Sequence, residues 1–185
     1  GFRSLGWQIS NYSSPYMYLM CMVSYLTNND LYGLKLVSVF FDYLASIAVF
    51  LIIYQITGRV RKSIMGMAIL LLSPTVILDS AYWCQCDIIY TTFILFAIYY
   101  LFKNNSRGCL ILVGISFAFK LQALFIVPFL IILWLKKKTI KLRDFVWIPI
   151  IYVVSALPAW LFGRDFKELM TIYFDQAGTY PWGTL

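Results

Sequence analysis

Ser80-Ala-Tyr-Trp-Cys-Gln-Cys-Asp-Ile-Ile-Tyr-Thr-Thr92 decides how this chain is read, because it sets Trp83, Gln85 and Asp87 between two long apolar runs. The run before it, Ile64 to Leu78, and the run after it, Ile88 to Phe102, are each apolar enough to lie in a bilayer. Asp87 therefore falls at the lipid-water boundary, where an unpaired charge is unfavourable and is generally kept for a ligand, a proton or a partner. An aromatic face, an amide and a carboxylate in one short turn suit the apolar face and the hydroxyls of a sugar. The plainer alternative is that Asp87 caps a helix starting at Ile88.

The rest of the composition agrees with a membrane reading. Hydrophobic residues make up 62% of the chain, charged residues 12%, and the mean hydropathy is +0.79, a balance that soluble domains rarely show. The 15 Lys and Arg outnumber the 8 Asp and Glu, but the excess sits in short clusters between apolar runs. Such a pattern reports orientation in a membrane and argues against nucleic-acid binding. Histidine is absent, which removes Ser-His-Asp and Cys-His catalysis, the usual zinc sites and any histidine pH switch. Cys84 and Cys86 form a C-x-C, yet no further metal ligands lie nearby and a C-x-C disulfide closes a strained ring. They read as small semi-polar residues packed at a helix start, and no metal or cofactor is expected.

Apolar runs at Leu36 to Thr57, Ile64 to Leu78, Ile88 to Phe102, Cys109 to Phe119, Ala123 to Leu135 and Phe145 to Phe162 predict an all-α polytopic bundle of about six spans. Several runs are shorter than the roughly 20 residues that cross a bilayer upright, so their ends extend into polar flanks or stop inside the protein. Residues 1–33 read as an outer loop with an interfacial helix, in which Pro15 suits the first turn and the tyrosines sit at headgroup level. Residues 34–163 hold the spans, and residues 164–185 form an outer loop. The chain opens without Met and ends without a span, and reads as part of a longer protein.

Charge sets the topology. The loops Arg59-Arg61-Lys62, Lys103-Arg107 and Lys136-Lys137-Lys138-Lys141-Arg143 carry ten of the fifteen basic residues, and the positive-inside rule makes them cytoplasmic. The stretch from Cys109 to Leu135 reads either as one long span with Lys120 in its middle or as a hairpin turning at Lys120; the charge bias favours the hairpin, which lifts Lys120 to the outer side. There Lys120 either snorkels to the headgroups or grips an anionic group such as a lipid phosphate. Lys35 and Asp42, seven residues apart, share one helix face with Ser38. That polar stripe is either an internally satisfied cluster holding helices together or one wall of a substrate cavity.

In order along the chain, Asn11-Tyr-Ser-Ser-Pro-Tyr16, Lys35-Leu-Val-Ser-Val-Phe-Phe-Asp42, Ser73-Pro-Thr75, Ser80-Ala-Tyr-Trp-Cys-Gln-Cys-Asp87, Phe119-Lys-Leu-Gln122 and Ile172-Tyr-Phe-Asp-Gln176 with Tyr180 form a set. It resembles the GT-C superfamily of polyprenyl-phosphate-sugar glycosyltransferases, specifically bacterial membrane proteins related to the eukaryotic GPI-anchor second mannosyltransferase. The resemblance implies a GT-C-like core in the bacterial plasma membrane with its active site on the outer face. It further implies inverting transfer of a hexose, such as mannose, from a polyprenyl or dolichyl phosphate to a glycan, lipid or protein acceptor.

In that scheme Lys120 and Gln122 meet the donor phosphate, while Trp83, Gln85 and Asp87 orient donor or acceptor. Tyr12 and Tyr16 shape the mouth, and Gln176 joins the substrate-binding set. Two positions depart from the family pattern. Cys84 stands where Gly is usual, in a tight turn, and Asp79 stands where Asn is usual, adding a negative charge at the rim. The resemblance also puts the acidic catalytic residue in an outer loop upstream of Gly1 and further spans after Leu185. Two other classes compete with this one. A secondary transporter with Asp42, Asp87 and Lys120 as an ion path should show matched internal repeats, which the sequence lacks. A non-catalytic subunit of a glycan-assembly complex explains the polar rim less well.

Overall fold

A computed structural model describes residues 12–137 and 139–179, apart from the side chains of residues 30, 137 and 175–179. Among these residues every regular element is helical. Helix α1, Ser14–Val23, takes Pro15 in its first turn. Helix α2, Asp30–Thr57, starts where the Asn29 side chain accepts the Leu31 and Tyr32 amides and stops at Gly58, whose φ of 63° is left-handed. Helix α3, Val60–Leu71, is followed by the short α4, Pro74–Val76, which runs into a π-helical turn, Ile77–Tyr82. Beyond it come α5, Asp87–Phe102, and α6, Ser106–Phe119. Lys120 then breaks the helix with extended backbone, φ −154° and ψ 136°, before a 3-10 segment, Leu121–Ile126, and α7, Val127–Lys137. A second 3-10 segment, Leu142–Val146, leads into α8, Trp147–Leu161. Residues 164–185, expected as a loop, contain α9, Phe166–Thr179.

All six predicted apolar runs fall in helices, although Ile64 to Leu78 is broken at Leu72 and Ser73. Two helices, Leu31–Thr57 and Leu142–Leu161, are long and apolar enough to cross a bilayer, and Val60–Leu71 with Pro74–Tyr82 adds a third if that pair, bent by 42°, acts as one span. The apolar helices Asp87–Phe102, Ser106–Phe119 and Leu121–Lys136 are shorter than the roughly 20 residues of an upright crossing. The reasons are local. Pro74 lacks an amide proton and cannot continue the α3 ladder. Asn104, at φ 56°, turns the chain between α5 and α6, and the Asn105 side chain caps α6 by accepting the Gly108 amide at 2.9 Å.

The expected hairpin at Lys120 is present. Leu130 and Ile140 pack in one buried cluster with Cys109, Leu110 and Val113, and the Lys141 amide donates to Ser106 Oγ at 2.9 Å. The chain thus leaves Ser106, turns at Lys120 and returns to the start of α6. Contacts along α2 give its direction relative to α5. Ser38 Oγ donates to the Gln85 carbonyl at 3.2 Å, and Thr92 Oγ1, 2.7 Å from the Ile88 carbonyl of its own helix, shares its proton with the Phe41 carbonyl at 3.1 Å, so α2 and α5 run side by side and end near Arg59 and Lys103. Arg107 lies over the Trp147 ring at 5.7 Å, which brings the start of α8 to the same end. The basic loops therefore gather at one end of the bundle, and Asp87 and Lys120 at the other.

This polarity has a measurable consequence. With an impermeant maleimide added to intact cells, Cys84 and Cys86 should be labelled and a Cys placed at Thr139 should not. Labelling at position 139 would reverse the assignment of sides.

Hydroxyls on carbonyls tie the helices together where apolar contact alone has no preference for helix over lipid. Ser116 Oγ donates to the Tyr90 carbonyl at 2.7 Å, and Thr92 bridges α5 to α2. Helix α8 carries Pro158 in its interior. Proline opens the helical ladder, and Tyr18 of α1 enters the gap: its hydroxyl donates to the Ser155 carbonyl and accepts the Ala159 amide, both at 2.9 Å. A side chain inserted this way is a recognised origin of helix bending, and here it docks α1 on α8.

Candidate functional site

The polar end of the bundle is built on the C-terminus of α6. An α-helix leaves its last four carbonyls without internal partners, and in α6 each finds one. The Lys120 amide donates to the Ser116 carbonyl at 3.1 Å and Ser13 Oγ to the Phe119 carbonyl at 2.8 Å. The Tyr173 hydroxyl of α9 lies 2.6 Å from the Phe117 carbonyl and 3.2 Å from that of Ala118. Helices α1 and α9 are thereby fastened around Lys120. Ser13 and Tyr173 fall within the sequence motifs quoted above, but their capping of α6 is not legible there, since a hydroxyl that caps a distant helix leaves no local pattern.

Lys120 Nζ forms an ion pair with Asp87 Oδ1. The two residues are 33 apart in sequence, yet the antiparallel packing of α5 and α6 makes the first residue of one the neighbour of the last turn of the other. Both helix dipoles favour the arrangement, with the carboxylate at the N-terminus of α5 and the ammonium at the C-terminus of α6. The capping reading of Asp87 is not what the structure shows: α5 has no side-chain cap, and Asp87 is its first helical residue, bound to Lys120. Lys120 also lies over the Tyr90 ring, 5.8 Å from its centroid.

Burial pulls the Lys120 pKa down, but the hydrogen bond and charge of Asp87 outweigh it and hold the group above its usual value. The sign is that of a raised base. The lysine side of the pair is therefore lost as pH rises through the raised value, above the ordinary lysine range of about 10. Burial is also the main reason the Cys86 thiol is pushed up, with Lys120 drawing it down and Asp87 adding to the rise.

Most of the other residues singled out from sequence lie on the segments that flank Asp87 and Lys120 or on α1. Trp83 is 63% exposed and meets Tyr82 edge to face at 6.5 Å. Gln85 is exposed, and its backbone is tied to Ser38. Tyr16 is buried against Phe41, Ile88 and Ile89, with Cys86 and Phe119 at the edge of the cluster. Its ring lies 4.8 Å from that of the exposed Tyr12. Gln122 is exposed on the 3-10 segment after Lys120. The side chain of Gln176 on α9, together with Asn11 and Tyr180, lies outside the described residues.

Lys35 is half-buried near the start of α2, while Ser38 and Asp42 are buried. The partner of Asp42 is Ser80, whose Oγ donates to Oδ1 at 2.8 Å. Cys21, Cys84, Cys86 and Cys109 are free thiols. Among the described residues no three Cys, Asp or Glu side chains converge on a common metal position. Ser13, Ser14, Tyr152 and Ser155 help line a cleft of about 10 Å³, room for roughly one water and far too small for a sugar ring.

The turn that presents the site is strained at one residue. Trp83 N donates to the Leu78 carbonyl and Gln85 N to that of Asp79, both at 2.9 Å, closing the π-helical turn on Cys84, which has φ 57°. A residue with a Cβ is disfavoured there by about 1–2 kcal/mol, and glycine is not. Cys84→Gly should therefore raise stability by roughly 0.5–1 kcal/mol once the greater freedom of glycine in the unfolded chain is set against the relief. Thermal unfolding in detergent reads this directly, and a fall would mean that the Cys84 side chain contributes packing worth more than the strain.

Comparison with protein-family models, with curated proteins and with solved structures finds no match to this chain.

Proposed function

We propose that this chain is the membrane core of a GT-C-type glycosyltransferase, which moves a hexose such as mannose from a polyprenyl-phosphate donor to an acceptor at the outer face of a bacterial plasma membrane. The observation that carries the reading is the Asp87–Lys120 ion pair, whose Asp87 lies on the segment that also carries the exposed Trp83, at the end of the bundle opposite the basic loops. A half-exposed ammonium at the membrane boundary suits a lipid phosphate, whose headgroup must lie at that depth. An aromatic face and a carboxylate next to it suit the sugar that the phosphate carries.

In this reading the six crossings are α2, α3 with its bent continuation, α5, α6, α7 with its 3-10 lead-in, and α8. The shorter arms are tolerated where they are covered by protein or line a cavity. During transfer an acceptor hydroxyl gives its proton to a base, its oxygen bonds to the anomeric carbon, and the bond from that carbon to the phosphate oxygen breaks. Lys120 faces the charge that develops on the departing phosphate and stabilises it. Asp87 holds Lys120 in place and accepts a sugar hydroxyl, Trp83 covers the ring, and Gln85 and Gln122 supply amide contacts. The family resemblance assigns the base to a carboxylate in a further outer loop.

The test is hexose transfer from a polyprenyl-phosphate hexose by the whole protein in liposomes. Asp87→Asn and Lys120→Met should each lower transfer at least about tenfold, or 1.4 kcal/mol of transition-state stabilisation, with the amount of folded protein unchanged. Near-normal transfer by both variants would leave the pair a structural clasp between α5 and α6.

A further inference from the structure

A membrane-buried carboxylate usually has a task beyond packing, because leaving it in the bilayer is unfavourable. Asp42 is 7% exposed inside α2, and the ion pair at the rim does not include it. Its partner lies on the segment that leads to that rim. The π-helical turn Ile77–Tyr82 has poor means of holding itself: π geometry is uncommon and occurs mostly as single turns at functional sites, and Ile77, Leu78 and Tyr82 point outward, at 46%, 44% and 72% exposure. Ser80 is the only buried residue of the turn, and its hydroxyl meets Asp42. One helical turn earlier on the same face, Ser38 holds the Gln85 carbonyl.

We infer that Asp42 is a positioning residue, which acts through Ser80 to hold the π-helical turn and, beyond it, the Trp83–Asp87 rim against α2. A carboxylate is suited to this because it accepts a stronger hydrogen bond from a hydroxyl than a neutral acceptor does, and the turn has no apolar anchor to replace it. The path is short. Asp42 fixes Ser80, the Asp79 carbonyl takes the Gln85 amide, and Cys86 and Asp87 follow at the start of α5, where Lys120 waits. Ser38 and Asp42 of the polar stripe then back the rim segment.

Four native cysteines provide the readout, and it requires no sugar transfer, so it stands or falls apart from the proposed activity. Cys84 and Cys86 sit on the rim segment, while Cys21 and Cys109 are buried elsewhere in the bundle. In membranes carrying the whole protein, N-ethylmaleimide modification of each cysteine is followed by peptide mass. Asp42→Leu and Ser80→Ala should speed modification of Cys86 about tenfold while Cys21 and Cys109 stay protected. Asp42→Asn should stay closer to the parent rate than to that of Asp42→Leu, because its amide oxygen still accepts from Ser80, though more weakly than a carboxylate.

An unchanged Cys86 rate in both Asp42→Leu and Ser80→Ala would overturn the inference. So would an Asn variant as open as the Leu variant. If Asp42→Leu exposes Cys109, the bundle itself has opened and Ser80→Ala decides: a faster Cys86 with Cys109 protected supports the role, an unchanged Cys86 refutes it. Exposure of Cys109 in both would make the pair a general packing contact and also refute it.

Discussion

Gly114→Leu should lower the stability of the bundle by about 3 kcal/mol, the upper part of the range for overpacking a close contact. Helices α6 and α8 touch at this glycine. A Cβ placed there lies 3.0 Å from Ile151 Cβ, 3.2 Å from Ile148 Cα and 3.2 Å from the Trp147 carbonyl oxygen. Two of those three atoms belong to the backbone of α8 and cannot turn aside, so the helices must separate. Separation would draw Phe117 away from Tyr152 and Tyr173, whose rings lie 5.1 and 5.4 Å from it, and would loosen the caps that hold the end of α6. Gly66 provides the contrast. Its added Cβ would meet only the Cδ1 tip of Ile53 and side-chain carbons nearby, which can change rotamer, so Gly66→Ala should shift stability by no more than about 1 kcal/mol. Unfolding midpoints in one detergent compare the two, and a tolerated Gly114→Leu would show that α6 and α8 are not in close contact.

The second large effect is the coupling between Asp87 and Lys120. If the two act as one unit on a bound donor, the double variant Asp87→Asn/Lys120→Met should transfer sugar about as well as the worse single variant, not about a hundredfold below the parent. Removing Lys120 alone leaves a carboxylate near the incoming phosphate, and removing Asp87 alone leaves the ammonium without the partner that orients it. Either loss already abolishes what the pair does, so the coupling energy should be at least about 1 kcal/mol. Stability should change far less, since the side chains are 27% and 42% exposed and an ion pair so open to solvent contributes about 1 kcal/mol at most. Fully additive losses in transfer would mean that the residues serve separate substrates or steps.

Much of this architecture is legible in the sequence because bilayers impose long-range rules on short patterns. Apolar runs mark the helices to within a few residues, since each segment must satisfy its own backbone in lipid. The basic clusters then select the hairpin at Lys120 over a single span, a choice that local propensity alone leaves open. Helix lengths follow less well in one run, Ile64 to Leu78, which Pro74 splits, whereas the breaks at Asn104 and Lys120 fall where the apolar runs themselves stop.

The sequence by itself determined an all-helical chain with helices long and apolar enough to cross a membrane, the reversal at Lys120, and a polar segment containing Trp83, Gln85 and Asp87. Only the tertiary structure decided what those polar groups bind. Asp42 shares a helix face with Lys35, yet its hydrogen-bond partner is Ser80, because α2 packs against the π-helical turn. Asp87 stands at a helix start, yet it pairs with Lys120, because α5 and α6 run antiparallel and bring two termini together. Periodicity and charge act along the chain and are written in its order. Partners between helices depend on which faces pack and at what height, and no single segment encodes that.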